Sequence, residues 1–158
     1  MHMKTLRYTL LVLFMAVASI GKAQFIDMEG FLKTPQVTIS TTQLNGTKWK
    51  LQGNTSGSIY EYTQSKNIWH HKDGSTFTYP YYLTDSPITS YEYSAFDHSK
   101  VGKKTKGGYM VTVNEKQKVV YCAAIRSFNK KKGIFVLKLV TEGLIGTGDG
   151  ISTYEMVK

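Results

Sequence analysis

From Leu44 to the C-terminus the chain is built of short runs in which apolar and polar residues alternate, broken at close intervals by turn-forming pairs. Successive side chains of an extended strand point to opposite faces, so such runs are strands with one covered face. No stretch there carries the 3.6-residue period of an amphipathic helix. The runs are Thr47–Gln52, Ser58–Thr63, Lys66–Lys72, Ser75–Thr84, Thr89–Phe96, Gly108–Asn114, Lys118–Phe128, Ile134–Val140 and Ser152–Val157. Between the third and fourth, Asp73-Gly74 predicts a tight hairpin, because both residue types accept the positive φ of such a turn. Pro80 donates no backbone hydrogen bond, so it marks an edge or a bulge in its run. Asp97 to Lys106 is polar and reads as a loop. Eight or nine strands in one small domain leave edges that invite aggregation, and closure removes them. Short joins between consecutive runs favour neighbouring antiparallel strands. The expected fold is therefore all-β: one antiparallel up-and-down barrel of eight or nine strands, with a two-sheet sandwich as the alternative.

The segment before this pattern has another purpose. Lys4 and Arg7 precede an uncharged apolar run, Tyr8 to Ile20, and Gly21 and Ala23 supply small residues before Gln24. That is the layout of an export signal cleaved before Gln24. The apolar run is too short to span about 30 Å of hydrocarbon, so no stable membrane insertion is expected after cleavage. The domain reading is residues 1–23 signal peptide, 24–43 poorly ordered leader or strap, and 44–158 barrel. A periplasmic or extracellular location follows.

Composition narrows the partners. Of 158 residues one is Cys, so neither a disulfide framework nor a Cys-rich metal site is available. Cys122 lies in the apolar run VVYCAAI and reads as a buried, inert thiol. The formal net charge is +9, but Arg126 is the only arginine outside the leader. Nucleic-acid readers rely on arginine for bidentate contacts, so nucleic acid is not expected. The lysines of two loops, Lys103/Lys104/Lys106 and Lys130–Lys132, leave an anionic surface or ligand as a partner.

Reactive constellations are missing. His70 and His71 are adjacent in a strand and point apart, so no metal ligand pair arises from them. Glu61 and Glu92 each stand in a Tyr-Glu-Tyr triplet, and a carboxylate dyad would need both on one face within a few ångströms. There is no nucleophile elbow. The glycines of GLIGTGDG are followed by a strand pattern, whereas a phosphate loop needs a helix there. Asn45 and Asn54 sit in glycosylation-type triplets. No catalytic residue, metal or cofactor is assigned, and a hydrolase or isomerase inside the barrel is the minor alternative.

Leu44-Asn45-Gly46-Thr47-Lys48-Trp49-Lys50-Leu51 opens the first strand of this hairpin-rich chain. A Gly, then a Trp, then a Leu in that place resembles small exported bacterial lipocalin-like proteins, and more weakly the META-type domains of exported stress proteins. In the lipocalin pattern one residue separates Gly and Trp, whereas Thr47 and Lys48 intervene here. The resemblance implies an eight-stranded barrel whose Trp49 plugs a closed end. It implies an open end that takes a small apolar ligand, and a basic residue packed on the tryptophan, best matched by Arg126 and next by Lys138. Alternation alone already makes Trp49 a core anchor.

The aromatic stripes are the candidate site. Tyr60/Tyr62, Phe77/Tyr79/Tyr81 and Tyr91/Tyr93 each share one face of a strand. A dry core favours Leu, Ile and Val, because a buried phenol needs a partner. Stacked tyrosines suit a wall that is apolar with polar tips. If the stripes face inward, the protein is a non-catalytic binder of a small amphipathic or hydrophobic molecule. If they face outward, it is a secreted interaction module meeting a glycan or partner protein through tyrosines and lysines.

Overall fold

The structure is a computed structural model that describes residues 30–141 and 150–158. The leader, its cleavage before Gln24 and most of the glycine-rich segment after Thr141 lie outside the described residues. One compact unit runs from Lys33 to Lys158.

Its strands are β1 (Ile39–Ser40), β2 (Thr47–Leu51), β3 (Ile59–Tyr62), β4 (Lys66–His70), β5 (Thr76–Thr84), β6 (Lys106–Gly107), β7 (Tyr109–Asn114), β8 (Val119–Asn129), β9 (Ile134–Leu139) and β10 (Ile151–Met156). Eight of them close into a barrel in the order β10-β2-β3-β4-β5-β7-β8-β9, every pairing antiparallel. The single barrel, not the sandwich, is the fold. β1 and β6 form a separate two-stranded patch. Pro80 falls where β5 has β4 beside it but the β7 ladder, beginning at Tyr81, has not started.

Two details depart from the sequence expectation. The hairpin at Asp73-Gly74 is not a two-residue turn. His71 N donates to Ser75 O and Gly74 N to His71 O, and only the glycine takes positive φ (85°). Asp73 instead uses its carboxylate to accept from Ser75 N at 2.8 Å, which an Asx-type side chain does readily. Second, Thr89–Phe96 is not a strand of the barrel. It makes one isolated bridge, Glu92 to Val119, then a 3-10 turn over Tyr93–Ala95. β5 pairs directly with β7, so the ladder has no position for it. Its apolar side chains instead cover the barrel's outer face.

That cover produces two cores. The inner one collects the inward residues of alternating strands, among them Trp49, Tyr62, Tyr81, Leu83, Ile125 and Phe135. The outer one lies between the 85–105 connection and the backs of β5, β7 and β8. Tyr82, Val111, Val113, Val120 and Cys122 are buried there against Phe96, with Ile88, Tyr93 and Val101 at its margin. Both faces of β7 and β8 are therefore covered, which explains why β8 reads apolar on both faces.

The end of the barrel where β5 and β8 finish is closed by residues 34–44. Gln36 N and Val37 N donate to Ile125 O, Ile39 is buried, and a helical turn at Thr41–Leu44 puts Leu44 at zero exposure. Ser40 starts that turn with a capping box: its hydroxyl accepts from Gln43 N while Gln43 Oε1 accepts from Ser40 N at 2.8 Å. Trp49 stands above it, fully buried, its ring 5.4 Å from Phe135 and 5.8 Å from Phe128. Its indole N–H donates to Thr47 Oγ1 at 2.8 Å, and Thr47 donates onward to Leu44 O at 2.6 Å. Gly107 is required here, since a Cβ would lie 2.1 Å from the backbone of Thr84.

Arg126 sits at the β-bulge of β8 and donates to Thr34 O, so it ties the strap to the barrel wall. Lys138 is buried on the outward side of β9, opposite in parity to Phe135 and Leu137.

Candidate functional site

The barrel interior is packed at one end and hollow at the other. In the half bounded by the β4–β5 and β7–β8 hairpins lies a cavity of about 770 Å³. That volume is in the range of small-molecule sites. Its floor is Tyr62, Met110 and Leu137; its walls include Trp69, Tyr79 and Tyr154, and Phe77 stands at the mouth with 46% exposure. Thr112, Asn114, Tyr121 and Ser152 add polar tips from β7, β8 and β10.

The sequence-chosen aromatics separate into four situations. Tyr62, Phe77 and Tyr79 line the cavity. Tyr60 faces inward but sits behind the wall, stacked on Trp69 at 5.3 Å and edge-on to Tyr154 at 5.2 Å. Tyr81 is inward and fully buried below the cavity, its hydroxyl donating to Thr63 O at 2.8 Å. Tyr91 and Tyr93 are not in the barrel at all. Tyr91 is 47% exposed, and Tyr93 lies on the outer strap with its hydroxyl donating to Glu115 at 2.6 Å. The reason is the one given for their segment: it crosses the outside of a ladder that is already complete.

Trp69, Asn67 and Tyr154 are wall residues that the stripes alone did not single out. The signal was present in Lys66–Lys72, where Asn67, Trp69 and His71 alternate with Ile68 and His70 on the other face.

Burial governs the electrostatics. It pushes the Tyr60 phenol up to about 12 and holds Tyr62, Tyr81 and Tyr154 above the ordinary value of 10.0. These phenols are neutral at pH 7, so the wall they build carries no charge. At the mouth Glu115 is held below the ordinary carboxylate value, first by the Tyr93 hydroxyl and then by Lys118 and His98. His98 Nδ1 lies 3.6 Å from Glu115 and Lys118 Nζ 3.5 Å. The strap is thus pinned to the mouth hairpin.

Other candidates resolve outside the cavity. Cys122 is buried in the outer core, its sulfur accepting from Ile88 N at 3.4 Å, and burial raises its thiol to about 11. A thiol so shifted is a poor nucleophile. Glu61 lies on the outer face of β3, 2.9 Å from His70 and 3.6 Å from Lys48, whereas Glu92 bridges to β8; they form no dyad. Among the described residues no group of three or more His, Cys, Asp or Glu converges on a point. Both lysine loops lie at the closed end: Lys130–Lys132 joins β8 to β9, and Thr105 accepts from Leu83 N at the end of β5. They do not rim the cavity.

The class these observations define is a closed eight-stranded antiparallel barrel with a strap outside and an aromatic-walled cavity inside. Comparison with known protein families, curated proteins and solved structures finds no match. No described helix is long and apolar enough to cross a membrane.

Proposed function

We propose that this protein is an exported, non-catalytic binding protein that holds one small amphipathic molecule inside its barrel. The observation that carries the reading is the cavity of about 770 Å³ placed above a fully packed floor. A chain selected only for stability fills its interior, because unfilled volume is destabilising by about 24 cal/mol per Å³. Concave, mostly apolar sites with a few convergent polar groups are where small molecules bind. Two of the three tyrosine stripes turn inward, which favours a ligand cavity over an outward aromatic surface. The packed tryptophan at one end and the hollow at the other support the lipocalin-like resemblance. The leader, with its cleavage before Gln24, places the mature protein outside the cytoplasm in this reading; N-terminal sequencing of mature protein from its own host tests that part.

The cavity is tested with 1-aminoanthracene, whose fluorescence rises and shifts to the blue in apolar surroundings. Wild type is expected to saturate at one equivalent. Ala123 lines the cavity on β8, so Ala123→Phe is expected to weaken binding at least about tenfold by filling the space, a change of roughly 1.4 kcal/mol. Equal binding by the variant, or none by wild type, refutes the reading.

A further inference from the structure

One wall of the cavity differs from the rest. Along the inner face of β4 and its continuation stand Asn67, Trp69 and His71, and each carries a buried polar atom with no hydrogen-bond partner: Asn67 Oδ1, Trp69 Nε1 and His71 Nε2. Buried polar groups are nearly always paired, so three in a row on one strand face is unusual. Asn67 Nδ2 reaches Tyr62 Oη at 3.4 Å, and turning the amide over would only exchange which of its two polar atoms is left over. The indole nitrogen has no such freedom. It is a donor only. Asn67 and Trp69 both line the cavity while these atoms are themselves covered, so an occupant reaches them once the side chains turn towards the hollow.

The same wall is aromatic. Trp69 stacks on His71 at 4.6 Å and on Tyr60 at 5.3 Å, with interplanar angles of 30° and 20°. Phe77 stands across the stack towards the mouth, 5.2 Å from His71 at 70° and 6.3 Å from Trp69 at 53°. An aromatic wall of this kind favours an aromatic occupant, met through ring edges as well as faces. The charges speak against a fatty acid. The cavity's cation, Lys116, stands on the mouth hairpin next to Glu115, and the wall phenols are neutral. A carboxylate drawn inside would be unpaired, which is costly.

Resting on the binding reading above, we infer that the ligand is a neutral planar heteroaromatic molecule, with an acceptor on its edge for Trp69 Nε1 and a donor for Asn67 Oδ1. Sites built to hydrogen-bond a ligand discriminate strongly against analogues that lack the matching group.

Three probes separate this from the general reading. Lumichrome is a flat three-ring molecule with ring N–H donors and carbonyl acceptors. 1-Aminoanthracene has the same outline with a single amine, and dodecanoate is an acyl chain with a carboxylate. Wild type is expected to bind lumichrome at least about tenfold more tightly than either of the others. Asn67→Leu and Trp69→Phe are each expected to remove most of that advantage, weakening lumichrome at least about fivefold more than they weaken 1-aminoanthracene. Asn67→Leu also deletes the Nδ2 hydrogen bond to the buried Tyr62 hydroxyl, so the comparison between the two probes, not the loss of lumichrome alone, separates a ligand contact from a structural one. If 1-aminoanthracene binds but lumichrome has no advantage, or the advantage survives both substitutions, the inference fails and the cavity stands. If dodecanoate binds tightest, an acyl ligand replaces it. If none of the three binds, the binding reading itself fails and takes the inference with it.

Discussion

Phe77 and Phe96 look alike in the sequence, each an aromatic among tyrosines in a polar run, yet the structure gives them opposite work. Phe96 is 5% exposed, its ring 5.1 Å from Tyr82 and 4.9 Å from His98, and it seals the outer core. Cutting it to alanine removes nearly a whole buried ring. Such truncations cost about 3–5 kcal/mol, and the low end applies here because the strap lies at the surface and water can enter the gap. Against a stability of about 5–15 kcal/mol that is a large share. With a urea slope of about 2 kcal/mol per M, the midpoint falls by about 1.5 M. Phe77 is 46% exposed, so Phe77→Ala is expected to cost no more than about 1 kcal/mol in stability. It removes a mouth contact, however, and is expected to weaken 1-aminoanthracene binding about tenfold, whereas folded Phe96→Ala keeps wild-type affinity. Urea unfolding followed by far-ultraviolet circular dichroism, with probe titrations of both variants in buffer, reads both effects. A cost below about 1 kcal/mol for Phe96→Ala, or an equal loss of probe affinity in both variants, would refute the assignment of one ring to the strap and the other to the site.

Two further predictions concern protons. The Tyr60 phenol ionises near 12 in the fold against an ordinary 10.0, so its contribution to stability is whole below pH 10 and is lost as pH rises from 10 through 12; each phenol that keeps its proton steepens the decline by about 1.4 kcal/mol per pH unit. Absorbance at about 295 nm should therefore rise together with loss of the β signal, and buried tyrosines titrating near pH 10 in an intact fold would contradict this. At the mouth, Tyr93→Phe removes the main cause that keeps the Glu115 carboxyl below 4.5. Carboxyl NMR titration should show its midpoint move up. The stability Glu115 contributes above its ordinary value, lost as pH falls through the depressed one, should shrink; an unmoved midpoint would mean that the hydroxyl does not hold the carboxylate.

The alternation of the chain decided a good deal without any coordinates. It set which residues share a face of a strand, so Tyr60 went with Tyr62 and Phe77 with Tyr79 and Tyr81, and the edge argument then required closure. It could have paired Asn67 with Trp69 and His71 by the same rule. What a period of two cannot give is which side of the sheet is inside, or how deep along the barrel axis a residue lies. Tyr79 and Tyr81 are two residues apart on one face, yet the first lines a cavity and the second is packed beneath it. Tyr109, Val111 and Val113 alternate like core residues and are buried, but on the outer surface, because the 85–105 connection folds back over them. That segment looked like a strand since its tyrosines also alternate, and only completion of the ladder by β5 and β7 left it outside. Local sequence specifies the pleat; contacts far apart in the chain decide what each face of it meets.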